Sequence, residues 1–346
     1  MATLTVRNFT QSQGEKFPEG LPATEPPEAR GLRRDHVRLL VLDRFTGEIQ
    51  HSRFDKLGQF LHTGDVLVLN DSRTLPVLLD ALLPNGERVS ARLARDEDGL
   101  WTCALSQEIA LRPEDVMLLA HGRLLARVLG PMNESSRYRV QLSSASSSMF
   151  EDIYHSGHPV SYSHLSREWD LDYFQTVYAA HPGSAEMPSA GRPFSWELLF
   201  RLRQQGITIA TITLHTTLGP QEDESLTEPP AEEYFMSPHA AHQINEARSR
   251  RGRVVAVGTT VIRALETAAT ADGVVHAGHD WTRLHITPDY QLKIVNGLIS
   301  GFHECDSSHL DLITALVSRE KLWNAYKIAT ETDYRWHEFG DANLIL

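Results

Sequence analysis

A run of four apolar residues at 66–69, followed at once by the polar residues 70–73, restricts the fold of this chain more than any other segment. A short apolar run between turn residues is typical of a strand covered on both faces, as in a parallel sheet. In open α/β sheets, ligands bind beyond the carboxyl ends of such strands. We therefore predict a layered α/β core whose binding site includes residues 70–73.

The stretch from about residue 77 to 142 has a different pattern, in which turn signals separate short β-rich runs. The turn signals and runs are Asn85-Gly86, Asp98-Gly99 and Gly122, and residues 89–93, 100–105, 124–129 and 138–142. Asn-Gly and Asp-Gly favour tight β-hairpins. The pattern predicts a small antiparallel β-barrel, and the Ser/Ala tract at 143–148 predicts a flexible joint after it.

The second half of the chain alternates between helix-like and strand-like segments. The predicted helices cover residues 196–205, 260–269, 307–317 and 321–330. The predicted strands cover residues 207–214, 254–257 and 343–346, with further β character at 284–287 and 292–299. Together with a β-rich run at 38–44, this alternation is typical of parallel βα units.

These patterns predict one large α/β domain built from both chain ends, with a barrel inserted between them. We expect residues 1–76 and 151–346 to form the α/β domain and residues 77–150 the small antiparallel β-barrel domain. Residues 1–30, which contain several Pro, Glu and Gly, are predicted to be an irregular lead-in.

Composition narrows the functional classes. No apolar stretch approaches the roughly 20 residues of a membrane span, and the N-terminus lacks the apolar run of a signal peptide, so we expect a cytoplasmic protein without a membrane partner. Cys103 and Cys305 are the only cysteines, which predicts no disulfide framework. The net charge of -12 disfavours extensive electrostatic binding to a nucleic-acid phosphate backbone.

Five segments combine a predicted strand end with small and polar residues, which is how α/β proteins commonly build ligand sites. The segments are residues 70–73, 175–194, 213–219, 257–266 and 296–309. Each has a plain structural alternative: a turn, a helix cap at Ser195, a structural histidine at 215, or an internal pair between Arg263 and Glu266. The spacing of the Cys and His residues at 303–309 matches no standard zinc site, so we expect no metal.

In identity and order, these segments resemble the S-adenosylmethionine:tRNA ribosyltransferase-isomerases of queuosine synthesis. The matching segments are residues 64–73, 173–179, 188–191, 213–215, 218–219, 256–260 with Arg263 and Glu266, 296–299, 302–303 and 340–342. The resemblance implies an α/β domain with an inserted β-barrel. It also implies an enzyme that transfers and isomerises the ribosyl part of S-adenosylmethionine onto the aminomethyl group of a 7-deazaguanine base in tRNA, releasing adenine and methionine.

That chemistry requires proton carriers, because a base must remove a C5′ hydrogen next to the sulfonium and an acid must help adenine to leave. The candidate proton carriers at matching positions are Asp71, His215, Glu266, His303 and Asp341, with their individual roles open. The candidate S-adenosylmethionine-binding residues are Asn70, Arg73, Gln175, Tyr178, Ser189, Ala190, Gly191, Phe194, Gly258, Thr259, Thr260 and Arg263. Among these, Tyr178 and Phe194 are expected to pack against adenine and residues 258–260 to bind the methionine or ribose end.

The chain departs from the family pattern in four loops. They are Arg-Pro-Phe at 192–194 in place of Leu-His-Phe, Pro-Gln-Glu-Asp at 220–223, Glu-Glu-Tyr-Phe at 232–235 and Glu-Cys-Asp-Ser at 304–307. Three of the departures remove histidines or basic residues and add acidic ones. They leave three hypotheses open: the family reaction on tRNA, cleavage or rearrangement of S-adenosylmethionine with a small acceptor or none, and non-catalytic binding of S-adenosylmethionine.

Overall fold

The computed structural model describes residues 16–132, 136–144, 146, 148–218, 229–304 and 307–346. Its strands are β1 (Arg38–Leu42), β2 (Ile49–Arg53), β3 (Val66–Asn70), β4 (Ser72–Thr74), β5 (Leu78–Leu82), β6 (Arg88–Arg95), β7 (Trp101–Leu105), β8 (Val116–Leu119), β9 (Leu124–Pro131), β10 (Arg137–Ser144), β11 (His181–Ser184), β12 (Thr208–His215), β13 (Glu232–Met236), β14 (Val254–Val257), β15 (Gly278–Thr282), β16 (Gly297–Ser300) and β17 (Ala342–Ile345). The α-helices are α1 (Met149–Ser156), α2 (Trp196–Gln204), α3 (Pro238–Ser249), α4 (Thr259–Ala268), α5 (Ser308–Leu316) and α6 (Arg319–Glu331).

The large sheet has the strand order β15-β13-β12-β3-β14-β16-β17-β1-β2. At its centre β3 pairs in parallel with β12 and β14, and β14 pairs in parallel with β16. Every residue of β3 is buried, as expected for a strand that has neighbours on both edges and layers on both faces. The predicted α/β core is confirmed.

The two faces of β3 belong to two separate apolar layers, because side chains alternate along a strand. Val66 and Val68 pack with the layer that includes α3, α4, α5 and α6, whereas Leu67 and Leu69 pack with α2. Helix α2 begins after Ser195, whose hydroxyl accepts a hydrogen bond from the Leu198 amide at 3.1 Å, so the predicted cap is also confirmed.

A second core lies inside the closed antiparallel barrel, which has the order β10-β7-β6-β5-β8-β9. Leu79, Leu93 and Met117 are among its fully enclosed side chains. Gly86 has φ 87°, a conformation that favours glycine and fits the predicted Asn-Gly turn between β5 and β6. The inserted barrel agrees with the predicted fold class, and the domain boundaries at residues 77 and 150 stay a prediction.

Two segments with predicted β character are not strands. Residues 284–287 form no strand, and within 292–299 only the end belongs to β16. The backbone groups find other partners: the Leu284 carbonyl accepts from Arg263 at 3.0 Å, and the amides of residues 293–295 donate to the Glu266 carboxylate. Side chains from α4 thus replace a neighbouring strand, and the prediction was wrong over residues 284–287 and 292–296.

Several sequence-based expectations lie outside the described residues. These are residues 1–15 of the lead-in, residues 145 and 147 of the Ser/Ala tract, the altered loop at 220–223, and Cys305 and Asp306. In the rest of the tract, Ser144 closes β10 and Ser148 caps α1 by accepting from the Glu151 amide. In the part of the chain that the structure describes, none of the helices has the length and apolarity needed to cross a membrane.

Candidate functional site

The candidate site lies where the parallel strands β3, β12, β14 and β16 end, next to the short sheet in which β4 and β11 pair in parallel. This is the edge at which α/β proteins bind ligands. Two groups of side chains meet there. The first surrounds His215 at the end of β12, and the second surrounds Gly258, where β14 leads into α4.

His215 is held by a chain of hydroxyl groups. Its Nδ1 lies 2.8 Å from Ser72 Oγ, which lies 2.6 Å from Ser184 Oγ, and Ser184 Oγ accepts from the Thr216 amide at 3.0 Å. Among the described residues, no partner contacts the other ring nitrogen of His215, Nε2. The imidazole therefore has a fixed orientation and one nitrogen available to a ligand.

A glycine makes room for this ring. A Cβ atom at Gly183 would lie 2.4 Å from Nδ1 of His215 and 2.5 Å from its Cε1, closer than side chains approach one another. The β11 backbone therefore passes directly against the imidazole. Gly183, within the predicted segment 175–194, serves this contact.

Burial lowers the pKa of His215 to about 4, and the nearby cation of Arg95 acts in the same direction. Glu233 on β13, the cross-strand neighbour of His215, opposes the shift. Glu233 is itself held by Arg95 of the barrel at 2.6 Å and by His279 at 2.8 Å. At neutral pH His215 is thus uncharged and able to accept a proton.

Beside His215, Asp71 forms a second network that includes a histidine missed by sequence reasoning. Asp71 Oδ1 accepts from the Thr213 hydroxyl at 2.7 Å and lies 3.1 Å from His181 Nδ1. The His181 side chain is 60% exposed, whereas the Asp71 side chain is 11% exposed. The only signal that identifies His181 is the pairing of β11 with β4, which sets His181 opposite Ser72.

Two predicted ligand-binding residues instead join the backbone of neighbouring segments. The Asn70 amide donates to the Leu214 carbonyl at 2.8 Å and accepts from the amides of Leu214 and Ser72. The Gln175 amide donates to the Thr74 carbonyl at 2.8 Å and accepts from the Thr74 amide at 3.1 Å. Both side chains use their donor and acceptor groups to fix the strand ends.

Arg263 and Glu266, which the sequence offered as an internal pair, bind different partners instead of each other. Arg263 forms a buried ion pair with Glu232 at 2.5 Å and donates to the carbonyls of Pro230 and Leu284. Glu266, which has no exposed surface, accepts from three backbone amides of residues 293–295 at 2.8 to 3.2 Å. Both side chains anchor the loops around α4.

Asp341 has a similar anchoring role near the C-terminus. Its two carboxylate oxygens accept from the amides of Arg38 at 2.7 Å and Arg335 at 2.8 Å. Burial raises its pKa, although these two hydrogen bonds and the charge of Arg38 oppose the shift. The carboxylate links β1 to the segment that precedes β17.

The loop that contains Ser189, Ala190 and Gly191 packs against Tyr178 and Gly258. A Cβ atom at Gly191 would lie 2.1 Å from the Tyr178 hydroxyl, and one at Gly258 would lie 3.6 Å from the Ala190 side chain. The Tyr178 hydroxyl is buried without a hydrogen-bond partner among the described residues, and burial raises its pKa. This contact brings together three of the family-matching segments, 173–179, 188–191 and 256–260.

Phe194 lies deeper than expected. Its side chain is fully buried, with its ring 4.9 Å from Phe54 and 6.4 Å from Tyr178. Arg73 lies at the other extreme, exposed on β4 between the buried Ser72 and Thr74. Tyr178 therefore contributes a polar atom at the site, Phe194 supports its ring, and Arg73 is available at the surface.

The second group of side chains begins at Gly258, whose φ of 99° favours glycine and ends β14 at the start of α4. Thr259 Oγ1 lies 3.0 Å from Nδ1 of His309, and the His309 ring stacks on His303 at 4.5 Å. His303 Nε2 shares a 2.8 Å hydrogen bond with Ser300. Burial lowers the pKa of His303 well below its usual value, so this ring is also uncharged.

One group within the described ranges has the residue types of a metal site. The ligand atoms of His164, His337 and Glu338 lie within 4.8 Å of one another. The two imidazoles stack at 4.6 Å with 23° between their planes, and His164 Nε2 lies 3.1 Å from Glu338. Stacking of the two rings accounts for this arrangement, so we assign no metal to it.

Comparison of the sequence and the structure with known proteins identifies the family of this chain. A family model described as queuosine biosynthesis protein matches residues 15–345. The chain belongs to this family. A relative in Moorella thermoacetica, named S-adenosylmethionine:tRNA ribosyltransferase-isomerase, is 39% identical over 340 residues, which are 96% of this chain and 98% of the relative. A relative of the same name in Desulfitobacterium hafniense is 35% identical with the same coverage.

A solved structure of the family has the same fold. The crystal structure of an S-adenosylmethionine tRNA ribosyltransferase from Thermotoga maritima matches 96% of this chain and 99% of its own, with 27% identity and a TM-score of 0.53. The resemblance drawn from the ordered motifs is confirmed. The individual residue roles stay predictions.

Proposed function

We propose that this protein transfers and isomerises the ribosyl part of S-adenosylmethionine onto the aminomethyl group of a 7-deazaguanine base in tRNA, releasing adenine and methionine. Relatives named for this activity align over almost the whole chain. The observation that carries the proposal is the state of His215 at the ligand-binding edge of the sheet. The ring is uncharged, is oriented through Nδ1, and has no partner on Nε2 among the described residues.

His215 has the properties of the base that this reaction needs. A proton on the carbon next to a sulfonium is acidic enough for removal by a positioned imidazole, provided that the imidazole is neutral. Burial keeps His215 neutral, and the contact with Ser72 fixes the ring. With the Nδ1 proton donated to Ser72 Oγ, Nε2 is the nitrogen that receives the C5′ proton. Glu233 then stabilises the positive charge that forms on the ring, whereas the cation of Arg95 opposes it.

The surroundings fit S-adenosylmethionine, which supplies the sulfonium that acidifies C5′ and the ribosyl group that is transferred. Tyr178 Oη and Thr176 Oγ1 are buried polar atoms that interact at most with each other among the described residues, as expected where a ligand completes the hydrogen bonding. Gly258 leaves the first amides of α4 facing the same edge, where they suit a carboxylate or ribose hydroxyl. We propose that Tyr178, Thr176 and residues 258–260 bind this substrate.

For the acceptor we propose tRNA, in the cytoplasm. The net charge of -12 and the altered loops led us to question tRNA, but relatives named for tRNA match 95% or more of the chain and do not support that doubt. Local cations decide such binding, and Arg73 is exposed beside the His215 network. The free, buried Cys103 fits a reducing compartment.

The other two hypotheses gain no support over this reaction. Neither a small acceptor nor non-catalytic binding explains the full-length match to relatives with this name. The test is to incubate the purified protein with S-adenosylmethionine, with and without tRNA bearing the aminomethyl base, and to measure adenine and methionine. The proposal expects release that depends on tRNA, release without tRNA favours the small-acceptor reaction, and no release in either case contradicts both.

A further inference from the structure

The reaction needs an acid as well as a base, and His215 supplies only the base. Adenine departs poorly as an anion and needs a proton. Three of the remaining predicted proton carriers are already occupied: Glu266 and Asp341 bind backbone amides through their carboxylates, and His303 Nε2 is bonded to Ser300. This inference rests on the proposed function, because it assigns the second proton of that reaction.

The structure holds a histidine in a suitable position. The β11–β4 pairing sets His181 opposite Ser72, the residue that orients His215, and Gly183 on the same strand contacts the His215 ring. The two imidazoles thus belong to one site. They differ in environment, since His215 is half-buried and the His181 side chain is 60% exposed.

Asp71 fixes the orientation of His181. The His181 Nδ1 lies 3.1 Å from Asp71 Oδ1 and 3.2 Å from Thr213 Oγ1, while the Thr213 hydroxyl donates to the same carboxylate oxygen at 2.7 Å. A carboxylate on Nδ1 keeps a proton on that nitrogen and leaves Nε2 to exchange a proton with a ligand. Among the described residues, no partner contacts His181 Nε2.

We propose that His181, oriented by Asp71, is the catalytic acid that protonates adenine as it leaves S-adenosylmethionine. The C1′–N9 bond breaks with its electron pair on adenine, and the His181 imidazolium gives its Nε2 proton to that base. His181 is then neutral, with its remaining proton on Nδ1 beside Asp71. His215 takes the C5′ proton, and the C–H electron pair forms a C4′=C5′ double bond as the C4′–O4′ bond breaks. The electron pair released on O4′ forms a C1′=O4′ carbonyl and replaces the bond that adenine leaves. One proton leaves the sugar and one reaches adenine, so the step needs no oxidant or reductant.

The test compares leaving groups in single-turnover reactions with tRNA. The substrates are S-adenosylmethionine and its 8-azaadenine analogue, whose base leaves more readily without protonation. We expect H181Q to release adenine about 10²- to 10⁴-fold more slowly than the wild type, the usual contribution of a general acid. With the analogue, the ratio of the wild-type rate to the H181Q rate should be at least tenfold smaller than with S-adenosylmethionine. The control variant is H239A, which alters an exposed histidine on α3 and should match the wild type with both substrates.

A second readout does not depend on turnover. In imidazole nitrogen NMR spectra of the free protein, the neutral form of His181 should carry its proton on Nδ1, and D71N should remove that preference. A wild-type protein that releases no adenine contradicts the proposed function itself. If the wild type is active, the assignment to His181 is overturned when H181Q is as fast as the wild type, when it is equally slow with both substrates, or when the His181 proton lies on Nε2.

Discussion

Ser72 and His215 share a 2.8 Å hydrogen bond although 143 residues separate them in the chain. Ser72 lies on β4 and His215 ends β12, so the bond forms only when the barrel-bearing segment and the second half of the α/β domain are both in place. The candidate base is therefore positioned by tertiary structure. Its properties give the first two predictions.

The first prediction concerns pH. Because the pKa of His215 is about 4, catalysis should be retained on acidification until pH approaches 4, whereas an ordinary histidine would lose it near 6.5. The unfolded chain binds this proton at the higher pKa, so the free energy of unfolding should be fully present above pH 6.5 and decline toward pH 4. Single-turnover rates and urea unfolding across this range test both trends. In H215Q, this part of the pH dependence of unfolding should be absent.

The second prediction concerns the glycine against the imidazole. In G183A the new methyl group would occupy space 2.4 Å from His215 Nδ1 and displace the ring from Ser72. We expect the single-turnover rate to fall about 10²-fold, since a general base acts only when positioned. The matched control is G130A on β9, where the added Cβ has no neighbour within 4 Å in the part of the chain that the structure describes. Equal rates for the two variants would mean that the ring position does not matter.

The third prediction separates stability from catalysis at Glu266. E266A would leave three backbone amides without an acceptor, the buried amides of Ile294 and Val295 and the part-buried amide of Lys293. This should lower the free energy of unfolding by about 3 kcal/mol or more. E266Q retains one acceptor oxygen and should lose less. Urea denaturation measures the loss. If Glu266 is only an anchor, the folded fraction of each variant should react at the wild-type single-turnover rate. A slower reaction of the folded fraction would indicate that Glu266 is a proton carrier.

The fourth prediction concerns the exposed Arg73. R73A should weaken tRNA binding, lower the dependence of log Kd on log salt concentration by about one unit, and leave the affinity for S-adenosylmethionine unchanged. R251A is the control, because Arg251 is equally exposed but precedes β14 at the opposite edge of the sheet. Filter binding at several salt concentrations measures the slope. The same slope in R73A and the wild type would exclude a phosphate contact at Arg73.

The fold was predictable because its signals are local. The apolar run of β3 indicates a buried strand, and the regular turns of the barrel indicate where the chain reverses direction. Both signals lie within a few residues of sequence. The errors at 284–287 and 292–296 arose because Arg263 and Glu266 supply hydrogen bonds from another segment. Composition and periodicity contain no record of such partners.

The site was predictable only in outline. Sequence motifs marked Asn70 and Gln175 as ligand-binding residues and Asp341 as a proton carrier, but did not show that their hydrogen bonds would be taken by backbone groups. His181 escaped notice because β11 is four residues long and has no hydrophobic period. Its partner Asp71 lies 110 residues earlier, so only strand pairing reveals the contact.

The central claim is that this protein builds a ribosyl-derived group onto tRNA. The most direct measurement is mass spectrometry of nucleosides from tRNA bearing the aminomethyl-7-deazaguanine base, after incubation with the protein and S-adenosylmethionine labelled with ¹³C in the ribose. The account predicts conversion of the base to its epoxycyclopentanediol derivative, with all five labelled carbons retained and no conversion by H215A. Unmodified tRNA, or label recovered only in a small molecule, would contradict it.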